Sequence, residues 1–434
     1  SEGPLPGLPL VVGAAVVVGA AVVVGAAVVV GAAVVVDAAV TVGAAVVVVE
    51  GAPRAAAASS SGVEAPQPAP TRSTQRIEAV KIRMGGDPRR RHEVPKPVGH
   101  PRWGARRLPR IPPMDDAVRF RDQSVTLAGV EGHNLEVPSA NPLNYHQAIN
   151  DPDGCEPLLA DGKLFLPPAD HPLPLVMVVP GSLGVGESHL AHAATLVAAG
   201  YAVFVLDPFG PRAVESTVAN QTQYSFAASA FDVLAALRVL ASHEAIDATR
   251  ISAQGHSRGG SAVLTAAMRA FADPIVGADL AFAAVYAVYP WCGHQFAHPE
   301  IGTTRIRAIV GDRDDWLSVQ QVQSQVQAIG LVGGDATVRV VGGAWHSFDR
   351  DEEVYEIPEA SVAPAAPTTY IDQDGAMIDY RTGQADPTLT DHAMFMAAID
   401  SDLGRWGAHI GSIGDQADLF REDMLAFHAS VLGT

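Results

Sequence analysis

From residue 114 onward, apolar runs of strand length alternate with longer stretches that carry apolar residues at helical spacing. PLVMVVPG and YAVFVLDPFG are continuously apolar, which is typical of strands covered on both faces. ESHLAHAATLVAAG, with Gly200 where a helix ends, YSFAASAFDVLAALRVLASH and RGGSAVLTAAMRAFA are predicted helices. RISAQGHS, AFAAVYAVYP, TRIRAIVGD and ATVRVVGG are further predicted strands, and DQADLFREDMLAFHASVL is a last helix. This alternation predicts an α/β fold with a mostly parallel, doubly wound sheet flanked by helices.

The segment GHSRGG, residues 255–260, lies between a predicted strand and a predicted helix. A serine on a sharp strand-to-helix turn, with a glycine two positions before it and two after it, is typical of a nucleophile elbow. Gly255 and Gly259 fit this pattern, because side chains there would clash with the neighbouring strand and helix. The pattern therefore predicts that Ser257 is a catalytic nucleophile.

A serine hydroxyl needs a base, and the base needs a third group to orient it. With this kind of elbow, the acid and the histidine are expected after two later strands, in the chain order serine, acid, histidine. GDRDDW follows one predicted strand and GGAWHSFD follows the next. His346 is therefore the predicted base and Asp314 the predicted acid. Asp315 and then Asp312 remain alternatives for the acid.

Two backbone N–H groups are expected to bind the oxyanion of a tetrahedral intermediate. The first is assigned to Arg258, which follows the nucleophile. The second is expected from the loop VVPGSLGVGES, at Ser182 or alternatively at Leu183. Glycines in this loop would let its backbone approach the substrate closely.

A set of ordered motifs resembles the dienelactone hydrolase family of the α/β-hydrolase superfamily. They are GKLFLPP, VVPGS, FVLDPFGPRAVEST, GHSRGG, YAVYPWCG, GDRDDW and GGAWHSFD, within about residues 155–350. The resemblance implies an α/β-hydrolase fold and a serine or cysteine hydrolase that acts on esters or lactones without a cofactor or metal. Carried over residue by residue, it implies Ser257 as nucleophile, Asp314 as acid and His346 as base.

The chain departs from the family pattern at three places. Serine stands where the founding members have cysteine, so dienelactone itself is in doubt as the substrate. Pro180 replaces the histidine that usually precedes the oxyanion glycine. Residues 351–410 form a long insertion or extension after the base, which could cap the site or could be peripheral; a peripheral extension is the preferred interpretation.

Other residues near the predicted strand ends are candidates for binding substrate. Asp207 and Arg212 follow the strand YAVFVL, at the edge where such sheets bind ligands. They could orient an acidic substrate or form a structural turn. Trp291 could line an apolar pocket. Cys292 is interpreted as a packing or pocket residue, since the elbow already supplies a nucleophile.

The region before residue 114 has a different character. Residues 1–51 repeat the unit Gly-Ala-Ala-Val-Val-Val. This segment is long and apolar enough for a membrane span, but valine runs also favour extended structure, and an erroneous gene start is an equal alternative. Residues 52–113, rich in Pro, Arg, Ala and Ser, are predicted to be a disordered linker. The catalytic domain is expected at 114–434, with Met114 as a plausible native start.

Charge and cysteine content narrow the expected partners. The chain has a net charge of −18, and its acidic excess lies after residue 113. This argues against nucleic acid as the main partner. Two cysteines do not make a disulfide framework. The expected partner is a small-molecule ester or lactone, and the expected compartment is the cytoplasm, with membrane anchoring or export as the alternative if residues 1–51 belong to the mature protein.

The combined interpretation is a serine hydrolase that cleaves a carboxylic ester or lactone through an acyl-enzyme. A thioesterase or peptidase on the same framework remains an alternative, because fold and triad do not determine the substrate. A binding protein that has kept the fold but not the activity is the alternative outside the enzymes.

Overall fold

The computed structural model describes residues 119–433 and, within the N-terminal repeat, the backbone of three strands. These are β1 (Val22–Val24), β2 (Ala27–Val36) and β3 (Ala39–Val47). β2 pairs antiparallel with both of the others, so the described parts of the repeat are extended rather than helical. No helix in the described residues is long and apolar enough to cross a membrane. The predicted linker, residues 52–113, and the proposed start at Met114 lie outside the described residues.

A nine-stranded sheet forms the centre of the described region from residue 119 onward. Its strands are β4 (Thr126–Leu127), β5 (Val130–Ala140), β6 (Pro157–Phe165), β7 (Leu173–Val179), β8 (Ala202–Asp207), β9 (Ile246–His256), β10 (Ala284–Val288), β12 (Arg305–Gly311) and β13 (Ala336–Val341). Across the sheet the order is β13-β12-β10-β9-β7-β8-β6-β5-β4. The six strands from β13 to β8 are parallel to their neighbours, and β6, β5 and β4 extend the sheet antiparallel. The mostly parallel sheet of an α/β-hydrolase fold is thereby confirmed.

The helices of the described region follow the predicted alternation. They are α1 (Tyr145–Asn150), α2 (Glu187–Ala198), α3 (Phe226–Ala241), α4 (Arg258–Ala267), α5 (Arg269–Val276), α6 (Val319–Leu331), α7 (Asp391–Asp400) and α8 (Gln416–Leu432). One prediction is corrected, because the single helix expected after Ser257 is two helices. Met268 is extended (φ −70°, ψ 120°), and the amide of Arg269 donates to the carbonyl of Glu300 at 2.8 Å instead of continuing the helix.

The central strands form the core, as their apolar runs predict. Every residue of β7, β8 and β10 is buried. Strands that bury both faces need layers on both sides, which is why the runs are continuous instead of alternating. The carboxyl ends of these parallel strands lie along one edge of the sheet, where their loops carry the polar residues described below.

Residues 351–410, called the cap segment from here on, form a small substructure of short elements. Its strands are β14 (Tyr355–Val362), β15 (Thr369–Ile371), β16 (Met377–Asp379), β17 (Gln384–Asp386) and β18 (Arg405–Ile410), with α7 before β18. β14 and β18 pair antiparallel. β15 pairs with β11 (His294–Phe296), which follows β10 in the chain. The cap segment is thus joined to the loop after a central strand by backbone hydrogen bonds.

Candidate active site

Ser257 occupies the turn between β9 and α4, as the sequence predicts. Its backbone has φ 53° and ψ −114°, which is a strained conformation for a residue with a side chain. Its amide donates to the carbonyl of Val288 at the end of β10, at 2.9 Å. This strained turn between two buried elements holds the hydroxyl at the carboxyl edge of the sheet.

The two flanking glycines are required by close backbone contacts. A Cβ at residue 255 would lie 2.1 Å from the carbonyl oxygen of Gly259. A Cβ at residue 259 would lie 2.4 Å from the carbonyl oxygen of Val179 and 2.5 Å from that of Pro180. All three distances are far below van der Waals contact, so larger residues would force these backbone segments apart.

The predicted nucleophile, base and acid form one chain of hydrogen bonds. His346 Nε2 lies 2.9 Å from Ser257 Oγ, and His346 Nδ1 lies 2.6 Å from Asp314 Oδ2. An ionised carboxylate can only accept, so Nδ1 carries the ring proton and Nε2 accepts from the serine hydroxyl. The acid and the imidazole are both buried, at 0% and 3% side-chain exposure.

The geometry distinguishes between the three candidate acids. Asp314 also accepts from the amides of Trp316 and Leu317 through Oδ1, at 3.0 and 3.3 Å, which leaves Oδ2 for the histidine. Asp315 faces the cap segment instead, where its Oδ2 lies 2.8 Å from Nδ1 of His409. Asp312 accepts from the amide of Gly343 at 2.7 Å. Among the three, Asp314 is the one that contacts His346.

Two aromatic rings enclose the imidazole of His346. Trp316 stacks on it with ring centroids 5.2 Å apart and planes at 20°, and the ring of Tyr289 lies 4.5 Å away. The Tyr289 hydroxyl donates to Asp349 Oδ1 at 2.7 Å. Since an aromatic ring on each side limits rotation about χ2, the histidine is held in the orientation that reaches both Ser257 and the acid.

A buried polar cluster lies beneath the nucleophile. Asp349 Oδ2 is 2.7 Å from His192 Nε2 and 3.4 Å from His256 Nδ1. Burial opposes ionisation of Asp349, but hydrogen bonds from the two histidines hold its pKa well below the ordinary value. Burial lowers the pKa of His256. Among residues 119–433 these three form the group whose atoms could ligate a metal, within 4.8 Å of one another.

The loop after β7 approaches the nucleophile, as expected for an oxyanion loop. A Cβ at Gly181 would lie 3.2 Å from the Ser257 Cβ, and Ser182 lines the cavity in front of the serine. The amide of Arg258 is the first of α4, so it has no acceptor within the helix. The amides predicted to bind an oxyanion, those of Ser182 and Arg258, therefore belong to residues that line the space in front of Ser257.

The Arg258 side chain has a structural role rather than one in substrate binding. Its guanidinium donates to the carbonyls of Gln221, Tyr224 and Ser225 at 2.7, 2.7 and 3.1 Å. It also lies over the rings of Tyr224 and Phe226, at 4.3 and 4.2 Å from their centroids. These contacts fix the start of α3 against the elbow.

Two predicted substrate-binding residues are corrected by the structure. Asp207 is buried and accepts from the amides of Phe209 and Gly210 at 3.1 and 3.0 Å, so it stabilises a turn. Arg212 is buried and forms a two-pronged ion pair with Asp232 on α3, at 2.6 and 3.2 Å. Both side chains form hydrogen bonds within the protein, and neither lines the cavity in front of Ser257.

A cavity of about 870 Å³, including its open mouth, extends from Ser257 and His346. Most of its wall is apolar. The predicted residue Trp291 lines it and stacks on Phe226, with centroids 4.5 Å apart. Other apolar wall residues are Trp316, Leu317, Val362, Ala363, Ala366, Pro367, Met394, Phe395 and Ala398. Cys292 is buried and lines a smaller neighbouring cavity, and burial raises the pKa of its thiol.

The cap segment supplies much of this wall, so the preferred interpretation of residues 351–410 as peripheral is wrong. Val362 comes from the end of β14, and Met394 and Phe395 come from α7. Several contacts anchor the segment to the sheet domain. Trp316 Nε1 donates to the His409 carbonyl at 2.8 Å, and the amide of Phe226 donates to Asp391 at 2.6 Å.

Sequence reasoning missed several polar residues of the cavity, three of them titratable. Asp391, His294 and Tyr380 line it. Asp391 follows Thr390, whose side chain caps α7, so in the sequence it resembles an ordinary acidic residue in a first helical turn. Burial raises the pKa of Asp391 to about 6, while the hydrogen bond from the Phe226 amide and the charge of Arg258 oppose this shift. Burial lowers the pKa of His294 to about 3.

Comparison with known proteins agrees with the motifs. Residues 160–370 match the model of the dienelactone hydrolase family. A putative dienelactone hydrolase from Klebsiella pneumoniae subsp. pneumoniae is 19% identical, with 50% of this chain and 89% of that chain covered and a TM-score of 0.36. A dienelactone hydrolase-like promiscuous phosphotriesterase from metagenomic libraries is 17% identical, with 63% and 99% covered and a TM-score of 0.38.

A hyperthermophilic esterase from the archaeon Pyrobaculum calidifontis is 13% identical, with 50% of this chain and 78% of that chain covered and a TM-score of 0.36. A search among curated proteins gives no match. The resemblance to the dienelactone hydrolase family, inferred from ordered motifs around the nucleophile, acid and histidine, is confirmed by the match over residues 160–370.

Proposed function

We propose that this chain is a serine hydrolase that cleaves a carboxylic ester or lactone through an acyl-enzyme. The observation that carries the proposal is the hydrogen-bonded chain from Ser257 through His346 to Asp314 at the mouth of an apolar cavity. This is the arrangement that lets a weakly nucleophilic hydroxyl attack a carbonyl near neutral pH. The match to a family of hydrolases supports the same chemistry.

In the proposed first half-reaction, Ser257 Oγ attacks the carbonyl carbon and its proton passes to His346 Nε2. Asp314 holds the proton on Nδ1 and stabilises the imidazolium that forms. The amides of Ser182 and Arg258 donate to the developing oxyanion. Collapse of the intermediate releases the alcohol, which takes its proton from Nε2, and leaves an ester on the serine.

In the second half-reaction, water enters the same position and His346 Nε2 removes its proton. Hydroxide adds to the acyl-enzyme, the intermediate collapses, and Ser257 leaves with the proton returned from Nε2. In a lactone the alcohol stays attached to the acyl group, so one hydroxy acid is the product. The apolar cavity wall, with Trp291 and Phe226, would bind the hydrocarbon part of the substrate.

The test compares the full chain with Ser257→Ala, using Ser242→Ala as a matched control. Ser242 ends α3, and its hydroxyl forms an exposed hydrogen bond within that helix terminus. Wild type and control are expected to hydrolyse p-nitrophenyl esters and to gain the phosphonyl group of a fluorophosphonate at Ser257, with loss of HF. Ser257→Ala is expected to lose labelling and at least about 10³-fold in kcat.

A folded wild type that neither turns over an ester nor reacts with the fluorophosphonate would refute the proposal and favour a binding protein. Folding is checked by circular dichroism and a cooperative urea transition. Turnover of thioesters or peptides in preference to oxygen esters would retain the serine mechanism but replace the proposed substrate class.

A further inference from the structure

The cavity contains a carboxylate that the hydrolytic chemistry does not use. Asp391 is 5% exposed and lines the cavity together with Ser257. Its Oδ2 accepts from the amide of Phe226 at 2.6 Å, whereas its Oδ1 has no hydrogen-bond partner. Leaving a buried acceptor unsatisfied costs free energy, so a donor that fills this position would bind favourably.

The protein offsets the charge of Asp391 in part. Its Oδ2 accepts from the first amide of α3, where the helix dipole favours a negative charge. Arg258 is near enough to lower the pKa of the carboxyl, although burial raises that pKa to about 6. Because helix and guanidinium supply the positive charge, the free oxygen needs a hydrogen-bond donor rather than a second cation.

A second uncommitted polar group belongs to the same cavity wall. The Tyr380 hydroxyl is buried, lines the cavity and has no hydrogen-bond partner. A phenol hydroxyl both donates and accepts, whereas Asp391 Oδ1 accepts only. An alcohol hydroxyl can donate to the carboxylate and accept from the phenol, and an ammonium group cannot accept.

His294 completes this polar part of the wall without supplying a charge. Its Nδ1 lies 3.4 Å from Asp391 Oδ1 and 3.3 Å from the Tyr145 hydroxyl. Burial lowers its pKa to about 3, so it is neutral at pH 7 and does not form an ion pair with the carboxylate. The cavity wall around Asp391 is otherwise largely apolar. A single polar contact there can therefore distinguish a substrate with a hydroxyl group from one without it.

We propose that Asp391 and Tyr380 form a subsite that binds a hydroxyl group of the substrate, so that the enzyme prefers hydroxylated esters. This inference rests on the proposed function, because it names the class of ester that the cavity selects. Asp391 is a specificity residue in this account and takes no part in the bond-breaking steps.

The test uses pairs of esters that differ only by a terminal hydroxyl or methyl group. One series varies the acyl chain of p-nitrophenyl esters, and a second varies the alcohol of butyrate esters, followed by pH-stat titration. Each series covers several chain lengths and includes a terminal ammonium analogue. In the full-length wild type, kcat/KM is expected to favour the hydroxyl ester about tenfold at one length, as for a hydrogen bond to a charged group.

Asp391→Asn is expected to reduce this preference about fivefold, because a neutral NH₂ group replaces the charged acceptor when the amide oxygen accepts from Phe226. Tyr380→Phe is expected to reduce it about threefold, the smaller effect of a neutral hydrogen bond. The matched controls Asp379→Asn and Tyr370→Phe lie in the same cap segment but do not line the cavity, and they should keep the wild-type preference.

Three results would overturn the subsite: a wild type without hydroxyl preference in either series, a preference for the ammonium analogue, or an Asp391→Asn variant that loses equally on both members of each pair. The last result would mean that Asp391 only supports α3. Failure of the proposed function is a separate outcome, because it would appear as absent turnover of the methyl esters or as turnover that persists in Ser257→Ala.

Discussion

The central sheet and the cap segment contribute differently to the same site. The nucleophile, acid and base follow the carboxyl ends of β9, β12 and β13, three parallel strands of the central sheet. The cap segment is built from short elements, three of its strands having three residues each, and it lines the cavity in front of the nucleophile. The difference teaches that the reactive groups belong to the central sheet and its loops, whereas an attached segment supplies a large part of the wall that would meet the substrate.

Two neighbouring residues show this division at its smallest scale. Asp314 Oδ2 lies 2.6 Å from His346, and Asp315 Oδ2 lies 2.8 Å from His409 on β18. Asp315 also lies 3.4 Å from Arg405 at the start of the same strand. One carboxylate thus orients the base, and the next one attaches the cap segment.

Substituting each of these aspartates should produce the largest contrast. Asp314→Asn is expected to lower kcat by about 10³- to 10⁴-fold, because the amide favours the wrong imidazole tautomer. Asp315→Asn should leave kcat within about threefold and act mainly on KM, since it weakens a part-exposed attachment of the cap segment. Steady-state kinetics on p-nitrophenyl butyrate measure both. Equal losses of kcat in the two variants would contradict the separation of roles.

Replacing a methionine by alanine should mainly lower stability in the central sheet and mainly change substrate preference in the cap segment. Met177 in β7 is fully buried in the sheet, and Met394 in α7 lines the cavity. Met177→Ala should lower the free energy of unfolding by about 2–5 kcal/mol. Met394→Ala should cost less stability and should raise kcat/KM for longer acyl chains relative to acetate, by roughly tenfold, through added cavity space.

Urea denaturation and a chain-length series of p-nitrophenyl esters measure the two effects. If Met177→Ala changed the chain-length preference as much as Met394→Ala did, the cap segment would not be the part that selects the substrate.

A third predicted effect is a pH-dependent contribution of the cap segment to stability. Asp391 has a folded pKa of about 6 against an ordinary value of 3.8, so its ionised form costs folding free energy above pH 6. The folded state takes up the proton first as the pH falls, and the cost therefore decreases between pH 7.5 and pH 4.5. The gain of Asp391→Asn relative to wild type should be larger at pH 7.5 than at pH 4.5, by about 2 kcal/mol.

Urea unfolding of both proteins at the two pH values measures this difference, and any constant effect of the substitution on the start of α3 cancels. A difference of the opposite sign would mean that Asp391 is stabilised as a carboxylate in the folded state.

Local sequence patterns were sufficient to predict the structure wherever the contacting residues are close together in the chain or the contact follows from the geometry of a parallel sheet. The elbow glycines, the succession of strands along the chain and the positions of Ser257, an acidic turn and His346 after three strand ends were all predictable, because parallel strands bring their carboxyl ends together. The choice between Asp314 and Asp315 was not. The side chains of adjacent residues point in different directions. Only the fold places His346 beside Asp314 and His409 beside Asp315.

By itself, the sequence determined the α/β class, the strand-helix order along the chain and the candidates Ser257 and His346, since apolar periodicity and a glycine-flanked turn are local properties. Tertiary structure alone decided the remainder. Arg212 forms an ion pair with Asp232 and is not free to bind substrate. Asp391 accepts a hydrogen bond from the amide of Phe226, 165 residues earlier in the chain. No sequence pattern links the two members of either pair. Tertiary packing brings them together, and for Asp391 it is the packing of the cap segment against the sheet domain.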